Sequence, residues 1–560
     1  MNRRKGAEFC RGPLARPPFP IILYINNKDK PRACERSEAP EAVVYLNLIF
    51  GADKFGATHT AMMYDAAIIG AGIVGSALFR ELGKYRVKTV LVEKENDVAL
   101  GASRANSAIV HAGYDPPAGT MLARFNVEGN RLYPELCRQL SVPFKQNGSL
   151  IAAICDEDLA TLRQLFENGT KNGVEGLEIV DAETVRRLEP NLNDSIRGAL
   201  LAPTGGIVGA YEMTTALAES GVINGGELRL NAEVVKIEKF DKDGAPLGSV
   251  EDGALGKPGG FFRLTFADGT SLDARFIVNA AGLYSDAVQQ LIGRKRFEVR
   301  PRKGEYYILD RRQGELTTRT IFMCPSKLGK GVLVSPTVHG NLLVGPDAQD
   351  GGEKDDTATS RGGLGFVREA SALLCDKIDF RDSIRNFAGI RALPDGKDFI
   401  IERDPDVAGL VNLAGIKSPG LTSAPAIARF AVELLGECGL ELTENPEFNP
   451  NRSEIRFVEL SDAEKAELTQ KDPRFGRVIC RCEQITEGEI VEAIRRPVGA
   501  RTLDGVKRRC RPGCGRCQGG FCGPRVLDIL ARELGVPRES VEKDRVGSYI
   551  LTGKTKEPRD

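Results

Sequence analysis

The sequence predicts an α/β fold for most of the chain and a small, mostly helical module near its C-terminus. From Met63 to about residue 436, helix and strand patterns alternate without internal repeats. Of the 13 cysteines, seven are scattered over residues 1–479 and six fall within Cys480–Cys522. At roughly 150 residues per domain, 560 residues suggest three or four domains.

Composition restricts the function classes. The 77 basic and 77 acidic side chains give zero net charge, which argues against a dedicated nucleic-acid binder or a protein steered to anionic membranes. No segment approaches the ~18–20 apolar residues of a membrane span. An odd cysteine count with one dense cluster indicates a reducing compartment and a metal or cluster site. We therefore expect a cytoplasmic protein that meets a membrane only through a partner.

Residues 1–61 differ from the rest of the chain. They carry basic and Pro-rich patches such as Arg16-Pro17-Pro18 and show no sustained periodicity. Frequent arginine would suit a transit peptide, but acidic residues from Glu8 to Glu41 weigh against one. We interpret the segment as a disordered extension, or as a start site placed upstream of the true one at Met62 or Met63.

The main body opens with a strand, a glycine turn, a helix and a second strand. Tyr64–Ile69 is a short apolar strand, and Gly70-Ala71-Gly72-Ile73-Val74-Gly75 leads into a helix reaching about Lys84. Thr89–Glu93 is the next strand. This order of elements is typical of a Rossmann-type dinucleotide-binding unit.

Each motif residue has a physical role in such a unit. Gly70 permits the tight turn, Gly72 lets the backbone approach a pyrophosphate, and Gly75 lets helix and strand pack closely. The helix N-terminus offers N–H groups to the phosphates. Glu93, 23 residues after Gly70, can accept hydrogen bonds from an adenosine ribose and disfavours NADP. The dinucleotide is therefore FAD or NAD.

Three later segments favour FAD. Residues 101–113 are rich in small and hydroxyl side chains, and the strand 276–282 ends in Ala280-Ala281-Gly282. Both would allow a pyrophosphate and a flavin ring to approach the backbone. A Pro-Gly turn in residues 415–422 leads into an apolar helix over 425–436. Such a helix N-terminus can place positive partial charge against a reduced flavin.

This combination resembles the FAD-dependent oxidoreductases with a D-amino-acid-oxidase-like fold over roughly residues 63–436. It is most similar to the flavin-dependent glycerol-3-phosphate dehydrogenases and L-2-hydroxyglutarate oxidases. The resemblance implies that FAD is held by Gly70, Gly72, Gly75, Glu93, Ser103, Asn106, Ser107, the backbone near Val234, Gly282, Gly415, Gly420, Leu421 and Thr422.

The resemblance also implies interleaved domains, a Rossmann-type FAD-binding domain and an α+β substrate domain. The FAD-binding segments would be about 62–149, 205–290 and 385–436, and the substrate segments about 150–204 and 291–384. A polar linker over 437–475, a cysteine module over 476–540 and a frayed tail over 541–560 complete the predicted organisation.

Oxidation of an alcohol by a flavin also needs a group that takes the hydroxyl proton. The chain has three histidines. His59 lies in the N-terminal extension, and His339 lies in a predicted hairpin turn, where we expect a solvated side chain. His111 lies in the small-residue segment expected to pass the flavin. It is therefore the candidate proton acceptor, against the alternative of a satisfied core histidine.

Cations are needed to orient an anionic substrate. Arg391 resembles the family's anion-binding arginine, and its planar fork suits a carboxylate or phosphate, with a surface arginine at a strand end as the alternative. Lys417, two residues after Gly415, is a second candidate, with a solvated loop lysine as the alternative. Lys303 and Tyr306 lie on a strand predicted to face the pocket.

The cysteine module has the spacing of a metal or cluster site. Cys480-Arg481-Cys482 is separated by 31 residues from Cys514-Gly515-Arg516-Cys517, and four thiolates in two tight pairs suit a [2Fe–2S] cluster. Zinc is the alternative, although the first pair is C-x-C rather than the C-x2-C of zinc ribbons. Thr486 and Glu489 form a capping box that predicts a helix to about Arg495, and an amphipathic helix is expected over 525–534.

The module resembles the bacterioferritin-associated-ferredoxin-like [2Fe–2S] domain, which recurs at the C-terminus of anaerobic-type glycerol-3-phosphate dehydrogenases. Cys510 and Cys522 exceed the four predicted ligands, and no role is assigned to them. The basic run Lys507-Arg508-Arg509-Cys510-Arg511 is expected to offset the anionic cluster or to dock an acidic electron carrier.

The sequence thus predicts a dehydrogenase that uses FAD and a [2Fe–2S] cluster to oxidise a small anionic secondary alcohol. By resemblance, the substrate is sn-glycerol 3-phosphate, the product is dihydroxyacetone phosphate, and the electrons pass to a redox partner. A dehydrogenase of L-2-hydroxyglutarate, another 2-hydroxy acid or an amino acid is one alternative. The other is a non-catalytic electron-transfer subunit.

Overall fold

A computed structural model describes residues 63–250, 253–325, 331–553 and 555–556. The interpretation of residues 1–61, with His59, lies outside this part of the chain. The helices are α1 (Ile73–Leu82), α2 (Met121–Leu140), α3 (Asp156–Lys171), α4 (Ala182–Leu188), α5 (Ala210–Ile223), α6 (Ser285–Ile292), α7 (Arg361–Ser371), α8 (Gly420–Glu437), α9 (Asp462–Lys471), α10 (Glu487–Arg495), α11 (Leu503–Cys510) and α12 (Gly523–Leu534). Among the described residues, no helix has both the length and the apolar character needed to cross a membrane.

The strands are β1 (Met63–Ile69), β2 (Thr89–Val92), β3 (Ile109–Val110), β4 (Phe144–Lys145), β5 (Ser149–Ala153), β6 (Glu178–Asp181), β7 (Gly198–Ala202), β8 (Gly206–Val208), β9 (Glu227–Arg229), β10 (Val234–Phe240), β11 (Phe261–Phe266), β12 (Ser271–Asn279), β13 (Val299–Leu309), β14 (Thr320–Met323), β15 (Leu333–Pro336), β16 (Leu342–Gly345), β17 (Gln349–Asp350), β18 (Ser383–Pro394), β19 (Ile400–Arg403), β20 (Leu410–Ala414), β21 (Val478–Cys480) and β22 (Ile485–Thr486).

The first large sheet carries the glycine motif. Its strands run in the order β10-β11-β12-β1-β2-β9, and β20 adds to β12 with β19 beside it. β1 pairs in parallel with β2 on one side and β12 on the other, and α1 connects β1 to β2. The predicted Rossmann-type unit is therefore confirmed. Parallel strands place their carboxyl ends at one edge, which is where dinucleotides bind in such sheets.

The second large sheet has the order β17-β13-β16-β15-β14-β5-β7-β6, with β18 paired to β13. Its strands come from residues 149–202 and 299–394, between segments that build the first sheet. The two sheets therefore interleave along the chain, close to the predicted segments. β18 pairs with β13 at eleven residue positions and therefore belongs to the second sheet. It crosses the predicted domain boundary at 384/385.

The core of the main body lies where α1, α2, α5 and α8 pack on the first sheet. Buried side chains include Phe79 of α1, Phe125 of α2, Met213 of α5 and Ile427 of α8. Each of these four side chains is fully excluded from solvent. Burying large apolar side chains in this way provides most of the driving force for folding.

The C-terminal module has its own small core. α10, α11 and α12 pack together through Ile490, Val506, Leu527 and Leu530, beside the short β21–β22 pair. The Thr486–Glu489 capping box predicted from the sequence is present, with reciprocal hydrogen bonds of 2.8–3.3 Å. The predicted helices of this module are thus confirmed within about two residues.

Buried ion pairs connect this module to the main body. Asp97, after β2, accepts hydrogen bonds from Arg508 at 2.9 Å and from Arg509 at 2.7 Å. Asp544 pairs with Arg508 at 2.6 Å and with Arg104 at 2.7 Å. The basic run therefore faces inward at Arg508 and Arg509, and the expectation that these two dock an electron carrier is wrong. Asp544 also anchors the segment that the sequence predicts to be frayed.

The segment predicted as a linker is partly ordered against the main body. It contains α9, which begins with a capping box between Ser461 and Glu464. Upstream of that helix, the buried Arg452 forms ion pairs with Glu219 of α5 and, at 3.0 Å, with Glu454. These buried pairs favour one arrangement of the segment over α5.

Candidate active site and cysteine site

The glycine turn after β1 has close contacts that only glycine allows. Gly70 has a φ of +107°, and a Cβ there would lie 2.6 Å from the carbonyl oxygen of Ala280. A Cβ on Gly75, in the first turn of α1, would overlap the carbonyl oxygen of Gly70. A larger side chain at either position would push α1 away from the sheet. The turn thus holds the N-terminus of α1 at the edge where a pyrophosphate binds in Rossmann-type units.

Two backbone N–H groups orient Glu93 beside this turn. Its Oε2 accepts from the N–H of Ala71 at 2.8 Å, and its Oε1 accepts from that of Glu95 at 3.1 Å. Burial raises the pKa of Glu93, and the two hydrogen bonds partly offset that effect. Ser103 accepts from the first N–H of α1, that of Ile73, at 2.8 Å. The loop expected to pass the pyrophosphate therefore touches the helix N-terminus directly.

A cavity of about 2250 Å³ runs from the glycine turn to the C-terminal module. Ordinary small-molecule pockets have about 300–1,000 Å³, so this volume suits a dinucleotide together with a substrate. The sequence-predicted residues that line it are Gly70, Gly72, Glu93, Ser103, Asn106, Ser107, His111, Val234, Gly282, Arg391, Lys417, Gly420 and Leu421. Gly75, Gly415 and Thr422 do not line the cavity themselves, but each is adjacent in sequence to residues that do or that support it.

His111 faces this cavity from a backbone that is held on both sides. Its N–H donates to Thr422 Oγ1 at 2.9 Å, and its carbonyl oxygen accepts from Asn126 at 2.7 Å and Asn130 at 3.1 Å. The ring Nε2 lies 3.4 Å from Ser418 Oγ. The two buried asparagines of α2 were not identified from the sequence. Polar residues on the apolar face of that helix were the available signal.

Arg391 lies on β18 directly opposite Arg302 of β13, and both line the cavity. Arg302 forms a two-point ion pair with Asp350. Arg391 donates from Nη2 to the carbonyl oxygen of Asp347 at 3.2 Å. Within the described residues, no carboxylate lies at ion-pair distance from Arg391, so its charge is less compensated than that of Arg302.

The strand β13 faces the cavity through Tyr306 but not through Lys303. The Tyr306 hydroxyl lies 3.2 Å from Ser107 Oγ, and its ring stacks on Phe387 with centroids 4.7 Å apart. The Lys303 Nζ lies 3.0 Å from Asp356 on the other face of the sheet. Side chains separated by an odd number of positions point to opposite faces of a strand, which explains the difference.

Lys417 lines the cavity from the loop before α8, and Gly420 and Leu421 in the first turn of that helix line it as well. The helix begins at Gly420, five residues earlier than predicted, and contains Pro425 as its sixth residue. Pro425 has no N–H for the carbonyl oxygen of Leu421, and the Tyr133 hydroxyl donates to that oxygen instead at 2.6 Å. The helix start is thus held in place by α2.

His339 also lines the cavity, although the sequence predicts a solvated turn residue. The turn itself is present between β15 and β16. The His339 side chain is only 15% exposed and its Nε2 lies 2.9 Å from the Glu212 carboxylate at the start of α5. Burial opposes ionisation of Glu212, but His339 and nearby arginines outweigh it and lower its pKa to about 2. The prediction was wrong because the packing of α5 on the turn is a long-range contact.

The cysteine module brings two predicted ligands together at its surface. Cys482 Sγ and Cys517 Sγ lie 3.8 Å apart, about the separation of two thiolates bound ~2.3 Å from one tetrahedral metal. The loop carrying Cys514 packs against Cys482, since a Cβ on Gly515 would overlap Cys482 Cβ. Cys482 is exposed to solvent, whereas Cys480 is buried.

The four predicted ligands do not all converge in this structure. Cys480 is buried together with Cys522 in the core of the module, and Cys514 Sγ lies 3.9 Å from the carbonyl oxygen of Lys507. No group of three or more histidine, cysteine, aspartate or glutamate side chains closes around a metal position in the described part of the chain. The donor chemistry and the Cys482–Cys517 spacing fit a cluster. Cys510 is buried in the module's core.

Cys514 lies between the cluster site and the large cavity. It lines the cavity together with Tyr211, Lys507 and Arg511. Arg511 Nη1 lies 3.4 Å from the Tyr211 hydroxyl, and its guanidinium pairs with the buried Glu483 at 3.1 Å. Burial raises the pKa of the Cys514 thiol, against the effect of Arg511 and Lys507. The cysteine module and the cavity therefore share a wall.

Two family models match the chain. The model DAO, described as FAD dependent oxidoreductase, matches residues 65–434, more than half of the chain. The model Fer2_BFD, described as BFD-like [2Fe-2S] binding domain, matches residues 478–532. These matches confirm the predicted FAD and [2Fe–2S] cofactors, and the cluster is favoured over zinc.

Similar proteins point the same way. The chain is 50% identical to a glycerol 3-phosphate dehydrogenase of Caloramator mitchellensis, over 88% of this chain and 99% of that protein. It is 29% identical to a mitochondrial L-2-hydroxyglutarate dehydrogenase of Nematostella vectensis, over 59% of this chain and 69% of that protein. Among solved structures, the FAD-bound L-alpha-glycerophosphate oxidase of Mycoplasma pneumoniae superposes with a TM-score of 0.64 at 30% identity. It covers 70% of this chain and 100% of its own.

Proposed function

The chain belongs to the DAO family of FAD dependent oxidoreductases and carries a BFD-like [2Fe-2S] binding domain, and we propose that it oxidises sn-glycerol 3-phosphate to dihydroxyacetone phosphate. The observation that carries this proposal is the 50% identity with a glycerol 3-phosphate dehydrogenase over 88% of this chain and 99% of that protein. FAD accepts the hydride when it is bound, and the cluster carries single electrons onward.

His111 is the proposed proton acceptor for the substrate hydroxyl. It lines the cavity and can share a proton with Ser418, 3.4 Å away. Its main chain is held by Thr422, Asn126 and Asn130, so little orientation has to be gained when substrate binds.

Arg391 and Lys417 are the proposed cations for the substrate phosphate. Both line the cavity, and Arg391 is not committed to a carboxylate of the described residues. A phosphate dianion could therefore bind the guanidinium of Arg391 through two N–H groups without breaking an existing ion pair. Lys417 lies in the loop before α8, whose N-terminus adds positive partial charge at the same place.

The remaining assignments depend on this function. We propose that the cysteine ligands are Cys480, Cys482, Cys514 and Cys517, that a redox partner protein accepts the electrons, and that the protein acts in the cytoplasm. The reducing compartment indicated by its cysteines supports the last point. The domain boundaries at 62–149, 205–290 and 385–436 against 150–204 and 291–384 also stay proposals, supported by the division of the other strands between the two large sheets, whereas β18 places residues 385–394 in the second sheet.

The decisive test is an anaerobic titration of the reconstituted holoenzyme, followed by its visible spectrum. We expect sn-glycerol 3-phosphate to bleach the flavin absorbance and then to reduce the cluster absorbance. L-2-hydroxyglutarate should leave both unchanged. Bleaching by the hydroxy acid alone would transfer the assignment to the 2-hydroxy-acid dehydrogenases. Reduction by neither compound would favour the non-catalytic electron-transfer subunit.

A further inference from the structure

We propose that the face of the module around Cys482 and Cys517 docks an acidic one-electron carrier protein. This exit surface is formed by Arg481, Cys482, Arg516, Phe521 and Arg525. The inference rests on the proposed function, because it names the partner that would receive the substrate's electrons.

The first observation is the asymmetry of the cysteine site. Cys514 lines the wall shared with the large cavity, whereas Cys482 is exposed to solvent beside Cys517. A cluster held by these residues would receive electrons on its Cys514 side. Its solvent side, at Cys482 and Cys517, is where a second protein can come close enough for the electrons to leave.

The second observation is an exposed aromatic ring on that side. The side chain of Phe521 is 87% exposed. The two residues before it, Gly519 and Gly520, have no side chain that could cover the ring. Among the described phenylalanines, Phe366 is the next most exposed, at 47%. Phe521 follows Cys517 by four residues, and the N–H of Gly520 donates to the carbonyl oxygen of Cys517 at 3.0 Å, so the turn that carries the ring begins at this proposed cluster ligand. Exposed aromatic side chains of this kind are typical anchors of protein interfaces.

The third observation is the charge around the ring. Arg481 and Arg525 are exposed, and neither guanidinium has a hydrogen bond or ion pair with the described residues. Arg516 is 60% exposed and lies at the limit of ion-pair distance from two carboxylates, 3.8 Å from Asp382 and 3.9 Å from Asp310, so the positive charge of this surface rests mainly on Arg481 and Arg525. Solvent-facing arginines that lack a partner create a positive potential, which attracts an acidic protein and repels a basic one.

The carboxylates near this surface do not cancel that potential. Glu483, next to Cys482, is buried and is paired with Arg311 at 2.8 Å and with Arg511. On α12, Asp528 is paired with Arg538 at 2.8 Å. The surface therefore combines an apolar centre with uncompensated positive charge, which matches an acidic carrier whose redox group lies near its own edge.

The test uses two haem proteins of opposite charge as probes, acidic cytochrome b5 and basic cytochrome c. The dissociation constant of each with the cluster-loaded holoenzyme is measured by calorimetry at low and high salt. We expect cytochrome b5 to bind at low salt and at least tenfold more weakly at high salt, with no binding of cytochrome c. Equal binding of the two probes would overturn the proposal.

Variants then locate the binding surface. The double variant Arg481→Glu/Arg525→Glu and the single variant Phe521→Ala should each weaken cytochrome b5 binding at least tenfold. The matched controls, Arg163→Glu on the exposed face of α3 and Val546→Ala at a 68% exposed position, should bind as the unaltered protein does. Unchanged binding by the double variant would place the contact elsewhere and overturn the proposal.

The docking test stands apart from the identity of the substrate. Iron content and the visible spectrum of each variant establish that the cluster is retained, and dithionite can reduce the enzyme in place of substrate. If sn-glycerol 3-phosphate fails to bleach the flavin but the charge-dependent binding is seen, the proposed function fails and the docking surface survives. If sn-glycerol 3-phosphate bleaches the flavin but no charge-dependent binding is seen, the proposed function stands and the docking surface alone is rejected.

Discussion

At the scale of single residues, the cavity holds one histidine positioned for proton transfer. The His111 ring faces the cavity, while the Glu212 carboxylate engages the other cavity histidine, His339. His111→Gln keeps a polar side chain of similar size but cannot accept a proton at neutral pH. We expect kcat to fall by about 10²–10⁴-fold, with loss of the limb of kcat/KM that rises with pH.

The control for His111 is its neighbour. Ser418→Ala removes a hydroxyl that lies at a long 3.4 Å from Nε2, so we expect a change of only a few-fold. FAD content, measured from the visible spectrum, should stay the same in both variants. An unaltered pH profile in His111→Gln would mean that another group takes the proton.

Arg391 offers the second residue-scale prediction. Arg391→Lys keeps the charge but loses the planar fork, so binding of a phosphate should weaken by about 1.5–3 kcal/mol, which is about 10–150-fold in KM. Arg302→Lys changes the residue opposite on β13, whose guanidinium is already paired with Asp350, and should change KM by a few-fold at most. Steady-state kinetics with sn-glycerol 3-phosphate measure both. Equal effects of the two substitutions would contradict the proposed role of Arg391.

At the scale of elements, the sequence predicted those features whose signals are local. The turn from Gly70 to Gly75 lies within six residues, and the Thr486–Glu489 capping box within four. The capping box of α9, Ser461 to Glu464, is equally local, but the polar composition around it led to the interpretation as a linker. That helix could have been predicted.

Features that depend on distant segments could not be predicted in this way. The His339–Glu212 contact joins residues 127 positions apart, and the Asp97–Arg509 contact joins residues 412 apart. In both pairs, the sequence around one residue contains no pattern that indicates the other. The same holds for Asn126 and Asn130. Their role is apparent only in the folded chain, where both side chains donate to the carbonyl oxygen of His111. The candidate site was therefore predicted as a set of motifs, and its supporting contacts came from the fold.

The attachment of α11 to the first sheet gives an element-scale prediction. Burial raises the pKa of Asp97, but Arg509 and Arg508 outweigh this and lower it from its usual 3.8 to about 2. Asp97→Asn leaves the buried Arg509 without its carboxylate partner and Arg508 with Asp544 alone, which should cost about 3–5 kcal/mol of stability. We expect a lower thermal unfolding temperature and faster proteolysis between the main body and the module.

The sign of the pH dependence is set by that lowered pKa. A carboxyl whose folded pKa lies below its unfolded value stabilises the fold above about pH 4, and this contribution is lost as the pH falls toward 2. Asp97→Asn should therefore flatten the fall in unfolding temperature over this window. Asp194→Asn, at an exposed surface position, should follow the curve of the unaltered protein. Identical curves for all three proteins would show that Asp97 does not hold the module in place.

At the scale of the whole molecule, the two cofactor regions share the wall formed by Tyr211, Arg511 and Cys514. Substrate chemistry would occupy one side of that wall and electron release the other. Oxidation of the substrate and delivery of its electrons should therefore be separable by changes in the cysteine module. A chain that loses its cluster should still let substrate bleach the flavin, but should no longer reduce a protein acceptor.

Single cysteine substitutions test this separation and decide the ligand set. The sequence spacing assigns Cys480, Cys482, Cys514 and Cys517, whereas the structure groups Cys480 with Cys522 in the buried core of the module, and Cys514 is not part of that group. If the spacing is right, Cys482→Ser and Cys514→Ser should each lose the iron and the cluster absorbance, while Cys522→Ser keeps both. All three should retain FAD and its bleaching by substrate, because none of these cysteines is among the residues proposed to hold FAD or to take the substrate proton. Loss of iron in Cys522→Ser with retention in Cys514→Ser would instead make Cys522 the fourth ligand. It would also leave Cys514 as an unligated thiol on the wall between the two cofactors.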